Sequence, residues 1–168
     1  MSEPKKLHEK VTYNVLQEYA RSAAVKRIYL VSNPELENIL GDVPIMGYYE
    51  KLNDLIVSTM HMTNVFLNSD TILGGLSSPG ETKRICTVGI FDIEKNEEKL
   101  FFSLDTAREM GYIYCIGRER LEQEGGLHKK ITSQMREKSQ DETVNVSFGV
   151  FPTDYENDYG YALAYSPN

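Results

Sequence analysis

The sequence predicts an α+β fold, with a mostly antiparallel sheet of five or six strands covered by helices on one face. Two β-rich runs separated by a short charged turn, near residues 84–104, predict one hairpin. A cleanly alternating run and its return, near residues 143–165, predict a second hairpin. Helical patterns precede and separate these hairpins, and this order favours α+β over a parallel α/β sheet. We expect a single domain over residues 1–168.

The first part of the chain predicts helix, strand and two further helices. A helix of about five turns with one buried stripe is predicted by apolar residues at every fourth position: Leu7, Val11, Val15, Tyr19 and Ala23. RIYLVS then predicts a short central strand. Asn33-Pro34 predicts a helix start and Gly41 its end. Apolar spacing over residues 46–67 predicts the longest helix.

A polar connection over residues 69–83 follows, and we expect it to be a mobile loop, with contact to a ligand or partner as the alternative to a simple joint. From Gly75, GLSSPGET has the glycine spacing of a phosphate-binding loop. Glu81 stands where that loop needs lysine, and a strand follows where a helix should. A flexible joint is therefore the favoured interpretation. Its candidate contact residues are Ser77, Ser78 and Lys83.

The segment after the first hairpin can be read in two ways. Helical spacing around residues 107–121 favours a helix that ends at Gly125 and Gly126. The run YIYCIG, centred on residues 112–116, instead suggests a strand. A further helix is predicted from Leu127.

Composition limits the possible partners and compartment. The net charge of −7 argues against nucleic acid, because a phosphate backbone needs a concentrated positive surface. No apolar run has the length of a membrane span, and MSEPKKLHEK lacks the apolar core of an export signal. We therefore expect a soluble cytoplasmic protein with no membrane partner.

The candidate catalytic and metal sites are weak. Asp54, Ser58 and His61 share one face of a single helix, where the aspartate cannot orient the imidazole toward the serine. Cys86 and Cys115 lie in apolar runs, which indicates buried, reduced thiols. The acidic segment DYENDYG lacks the calcium-loop spacing. The sequence predicts no metal, no cofactor and no catalytic residue, and its enzyme status stays open.

Tyrosine is the more informative residue, since eleven occur and four lie close to the end of the sequence. Its large ring and single polar tip suit interfaces. The candidate contact residues here are Tyr155, Tyr159, Tyr161 and Tyr165. We predict a non-enzymatic regulatory or binding module that acts through the sheet face and this hairpin. Its partner is a protein, a second copy in a homodimer, or a small ligand.

An enzyme is the alternative. If residues 112–116 form a strand, the order of elements over residues 27–150 resembles that of the acyl-CoA-dependent N-acyltransferases. In that family a strand leads into a loop and helix that hold pyrophosphate. The resemblance implies such a cradle in GRERLEQEGGLHKKI, with amides around Gly125 and Gly126 and with Lys129 or Lys130 nearby. The signature R/Q-x-x-G-x-G/A of the family is absent.

Overall fold

A computed structural model describes residues 2–167 as one mixed sheet with helices on both faces. The helices are α1 (Glu3–Arg21), α2 (Asn33–Leu40), α3 (Tyr48–Leu67), α4 (Arg118–Gln123) and α5 (Leu127–Lys138). The strands are β1 (Ile28–Tyr29), β2 (Leu73–Gly75), β3 (Ile85–Asp92), β4 (Glu97–Leu100), β5 (Glu109–Gly117), β6 (Asn145–Thr153) and β7 (Tyr159–Ser166).

The strand order is β1-β3-β7-β5-β6-β2, and β4 pairs with the outer side of β3. The first hairpin is confirmed, since β3 and β4 are antiparallel. The second is wrong, because β5 lies between β6 and β7 and pairs with both. The pairs β1–β3 and β5–β6 are parallel, so the sheet is mixed rather than mostly antiparallel.

Residues 112–116 form the middle of strand β5, so the favoured helix is wrong there. All of them are buried, with side chains alternating between two cores. Tyr112, Tyr114 and Ile116 face one core, while Ile113 and Cys115 face the other. A strand buried on both faces is apolar throughout, and such a run has no period that separates it from a helix.

Helices cover both faces of the sheet, which corrects the prediction of a single covered face. On one face α5 supplies Leu127, Ile131 and Met135. On the other, Leu36 of α2 packs with Leu52 and Phe66 of α3. The Tyr114 hydroxyl donates to Gln134 Oε1 at 2.9 Å, which anchors α5 to the sheet by a buried polar contact.

The first helix forms as predicted, but its apolar stripe is not buried. Leu7 is 65% exposed and Tyr19 is 53% exposed. The helix instead meets the domain through Ala20, which is buried, and through Tyr13, whose ring stacks on Phe102 at 6.3 Å between centroids. The four-residue spacing predicted the helix correctly and its buried face wrongly.

The connection over residues 69–83 is partly ordered by the sheet. Strand β2 pairs antiparallel with β6, and Gly74 has a φ of 72°, a backbone conformation that glycine adopts without strain. A Cβ at this position would lie 2.5 Å from the Phe148 carbonyl oxygen, so the close approach of the two strands also requires glycine. No helix within residues 2–167 has the length and apolarity needed to cross a bilayer.

Candidate functional site

The directions of the strands divide the molecule into two chemically different ends. Strands β3, β5 and β6 run the same way, because β3 and β5 are each antiparallel to β7 and β6 is parallel to β5. Their carboxyl ends therefore lead into one group of loops, residues 93–96, 118–124 and 154–158, which we call the acidic end. Their amino ends meet the loops at the opposite end of the sheet.

The acidic end carries seven carboxylates against three cations, a net charge of −4. The carboxylates are Glu94, Glu119, Glu122, Glu124, Asp154, Glu156 and Asp158. Arg120 organises part of this charge, since its guanidinium binds Glu94, Glu124 and Asp158. The hydrogen bond from Arg120 holds the pKa of Glu124 below its usual value.

The carboxylate of Asp158 also fixes the loop to the end of β5. Its Oδ1 accepts a hydrogen bond from the Gly117 backbone N–H at 2.9 Å. Arg118 Nε lies 2.9 Å from Asp154 Oδ1 and makes a second link between the same two loops. The segments GRER and DYEND are far apart in the sequence, and the parallel pairing of β5 with β6 brings them together.

An open cavity of about 720 Å³ lies between these loops. Its wall includes Glu119, Thr153, Asp154 and Glu156. Thr153 is only 7% exposed, and its Oγ1 is buried without a hydrogen-bond partner. A buried hydroxyl oxygen without a partner carries a free-energy cost, which a donor group would relieve if it displaced the atoms that cover this oxygen.

Tyr155 lies in the acidic end, and Tyr159 directly follows it as the first residue of β7. The rings of Tyr155 and Tyr159 meet edge to face, with centroids 6.1 Å apart. They are 56% and 44% exposed. These two candidate contact residues therefore offer aromatic surface beside the carboxylates.

The opposite end has a positive corner formed by residues 22–27 and 76–84, which we call the basic corner. It holds four cations, Lys26, Arg27, Lys83 and Arg84, against Glu81, for a net charge of +3. The two loops contact each other directly. Arg84 Nη1 donates to the Val25 and Lys26 carbonyls at 3.1 and 3.3 Å, and Arg27 Nη2 donates to the Pro79 carbonyl at 3.4 Å.

The three candidate residues of the 69–83 connection lie at this corner. Ser77 and Ser78 are exposed, and the Ser77 N–H donates to Ser147 Oγ at 3.0 Å. Lys83 Nζ lies 2.6 Å from Glu109 Oε1, so its charge is paired within the chain.

The remaining two tyrosines lie in the sheet itself. Tyr165 is 5% exposed, and Tyr161 packs against the same core beneath α2 and α3. Burial raises the pKa of Tyr161 to about 12. Strand β7 is central and not an edge, so its apolar character needs no cover from outside. The seven candidate residues thus do not form one site, because they divide between the two ends and the core.

Burial also suppresses the reactivity of both thiols. It raises the pKa of Cys86 and of Cys115 to about 12, and both side chains are completely buried. The thiolate is the nucleophile, so very little reactive form exists near neutral pH. Within residues 2–167, no three His, Cys, Asp or Glu side chains are placed to share a metal ion.

We expect the thiol reagent DTNB to titrate neither cysteine in the native protein at pH 8 and both after unfolding in guanidinium chloride. The high pKa and the closed packing act in the same direction. The measurement is the absorbance of the released thionitrobenzoate over time, with Cys86→Ala and Cys115→Ala separating the two sites. Rapid release from the native wild type would contradict the burial.

No protein-family model matches the chain, and no curated protein matches it. Solved structures with the same fold do exist. The chain is similar to the TubZ-Bt two-stranded filament, with a TM-score of 0.66 and 16% identity over 99% of this chain and 49% of that chain. GDP-form protofilaments of Bacillus thuringiensis serovar israelensis TubZ match with a TM-score of 0.64 and 16% identity, over 93% of this chain and 50% of that chain. The FtsZ dimer of M. jannaschii matches with a TM-score of 0.58 and 10% identity, over 84% of this chain and 45% of that chain.

These matches define the fold as FtsZ/tubulin-like. The chain spans about half the length of the structures it resembles. The solved structures overturn both functions inferred from the sequence, since FtsZ and TubZ are neither regulatory binding modules nor N-acyltransferases. The acyltransferase reading also fails locally, because RERLEQ forms the short helix α4 and Lys130 of the expected cradle binds Glu94.

Proposed function

We propose that this chain is a subunit that associates with further copies of itself, head to tail, into a filament. The observation that carries the proposal is its fold. The structures with the same fold are assemblies of like subunits: a two-stranded TubZ-Bt filament, TubZ protofilaments and an FtsZ dimer. The chain corresponds to about half of each subunit, so the proposal concerns the contacts that this half makes.

The two ends of the sheet support a head-to-tail arrangement. A contact between unlike surfaces leaves one of each surface free on every pair, so that addition continues without closure when the rotation does not form a ring. A contact between like surfaces stops at a dimer. The acidic end and the basic corner differ in charge and lie at opposite ends of the same strands, as the first arrangement requires.

Sedimentation velocity and negative-stain electron microscopy over a concentration series test this proposal. We expect a concentration above which large, elongated particles form, without a plateau at the dimer mass. A repeat with GDP, the nucleotide of the TubZ protofilaments, measures whether assembly responds to a nucleotide. A monomer, or a dimer that does not grow, at every concentration would refute the proposed function.

A further inference from the structure

We propose that the acidic end of one copy binds the basic corner of the next, with Lys26 entering the acidic cavity. This inference rests on the proposed self-association and adds the surfaces and residues that make the contact. The partner is a second copy of this chain.

The position of the two surfaces fits a repeating contact. Strand β5 has nine residues and therefore spans about 30 Å between the two ends of the sheet. The two surfaces are too far apart to neutralise each other within one copy. One copy can therefore use both at once, each with a different neighbour.

The charges of the two surfaces are complementary. With the ion-pair partners that lie outside the loops counted, Lys130 for Glu94 and Glu109 for Lys83, the acidic end carries −3 and the basic corner +2. Three of the four cations of the basic corner already make contacts within the chain. Arg84 holds two backbone carbonyls, and the Arg27 guanidinium lies 5.6 Å from the Tyr165 ring centroid. Lys83 is paired with Glu109. Lys26 is exposed and makes no ion pair with any residue in 2–167, so it is the cation that can reach a neighbour.

The cavity offers the groups that an ammonium requires. Glu119 and Glu156 line it, and neither forms an ion pair within the described part of the chain. Thr153 belongs to the cavity wall and its covered Oγ1 has no partner, so an ammonium, which donates three hydrogen bonds, gains an acceptor there by displacing the covering atoms. The exposed ring of Tyr155, which also lines the cavity, adds a face that attracts a cation. The charge at the rim and the orphaned oxygen in the wall are independent observations that favour the same ligand chemistry.

Charge reversal tests the contact. We expect Glu156→Lys and Lys26→Glu each to raise the concentration needed for assembly roughly tenfold, because each replaces an attraction by a repulsion. Mixing the two variants should restore assembly, since the reversed end of one fits the reversed corner of the other. The chain that carries both changes should also assemble. Thr153→Val should weaken assembly without lowering the melting temperature.

Glu9→Lys and Lys10→Glu are matched controls, with the same charge changes on exposed positions of α1. We expect both to assemble as the wild type does. Circular dichroism melting curves of all variants establish that each is folded.

Three results would overturn the contact. If the wild type assembles and neither reversal has an effect, the surfaces are wrong while the proposed function stands. If both reversals block assembly but the mixture does not recover, the two residues do not meet. If the wild type does not assemble, the contact and the proposed function fail together.

Discussion

Gly160→Ala will destabilise the protein by about 3 kcal/mol. A Cβ at this position would lie 2.2 Å from the Phe91 carbonyl oxygen and 3.0 Å from Phe91 Cδ1. Gly160 belongs to β7, which pairs with β3 on one side and β5 on the other. The backbone of β7 cannot move away from Phe91 without disturbing its hydrogen bonds with β5. The clash therefore persists in the variant and lowers its stability.

Urea unfolding followed by circular dichroism measures this effect. Gly80→Ala is the matched control, because a Cβ there meets no atom within 4 Å. We expect its free energy of unfolding to stay within about 0.5 kcal/mol of the wild type. Equal midpoints for the two variants would show that β7 does not run between β3 and β5.

Leu36→Ala will cost about 3 kcal/mol of stability, since it removes a completely buried side chain and leaves a cavity between α2, α3 and the sheet. Leu7→Ala makes the same chemical change at a side chain that is 65% exposed on α1. We expect it to change the free energy of unfolding by less than about 0.5 kcal/mol.

The pair of leucine variants tests the coverage of the second sheet face directly. Chemical unfolding curves of both proteins, fitted with a common slope, give the two differences. A small loss in Leu36→Ala would mean that the α2–α3 face is not a packed core. A large loss in Leu7→Ala would mean that the α1 stripe is buried in solution.

The sequence predicted those elements whose signals are local. The proline after Asn33 and the glycine at position 41 bracket α2, and the charged turn between β3 and β4 identified their hairpin. The helix predicted from Leu127 also forms, as α5.

The errors concern partners that are distant in the sequence. The alternation in β6 was correct, but alternation does not say which strand lies next to it. Strand β5, apolar on both faces, was the segment whose pattern was ambiguous, and its insertion between β6 and β7 decides the topology of the sheet. With β5 taken as a helix, β6 and β7 were wrongly expected to pair with each other as a second hairpin.

The sequence identified only some residues of the two candidate surfaces. Tyr155, Tyr159 and Lys83 were identified from the sequence as candidate contact residues. Their division between two ends of the molecule depends on strand direction, which composition does not encode. Thr153 had no sequence signal, because an unpartnered hydroxyl exists only once its surroundings are assembled.

The outermost strands limit how copies of this chain can join sideways. The strand β1 has two residues, β2 has three and β4 has four. Such short stretches offer few free amide and carbonyl groups for a neighbour to continue the ladder. Strand addition of the kind seen in amyloid-like aggregates is therefore disfavoured. Contacts between copies then depend on side chains, and single substitutions can change them one residue at a time.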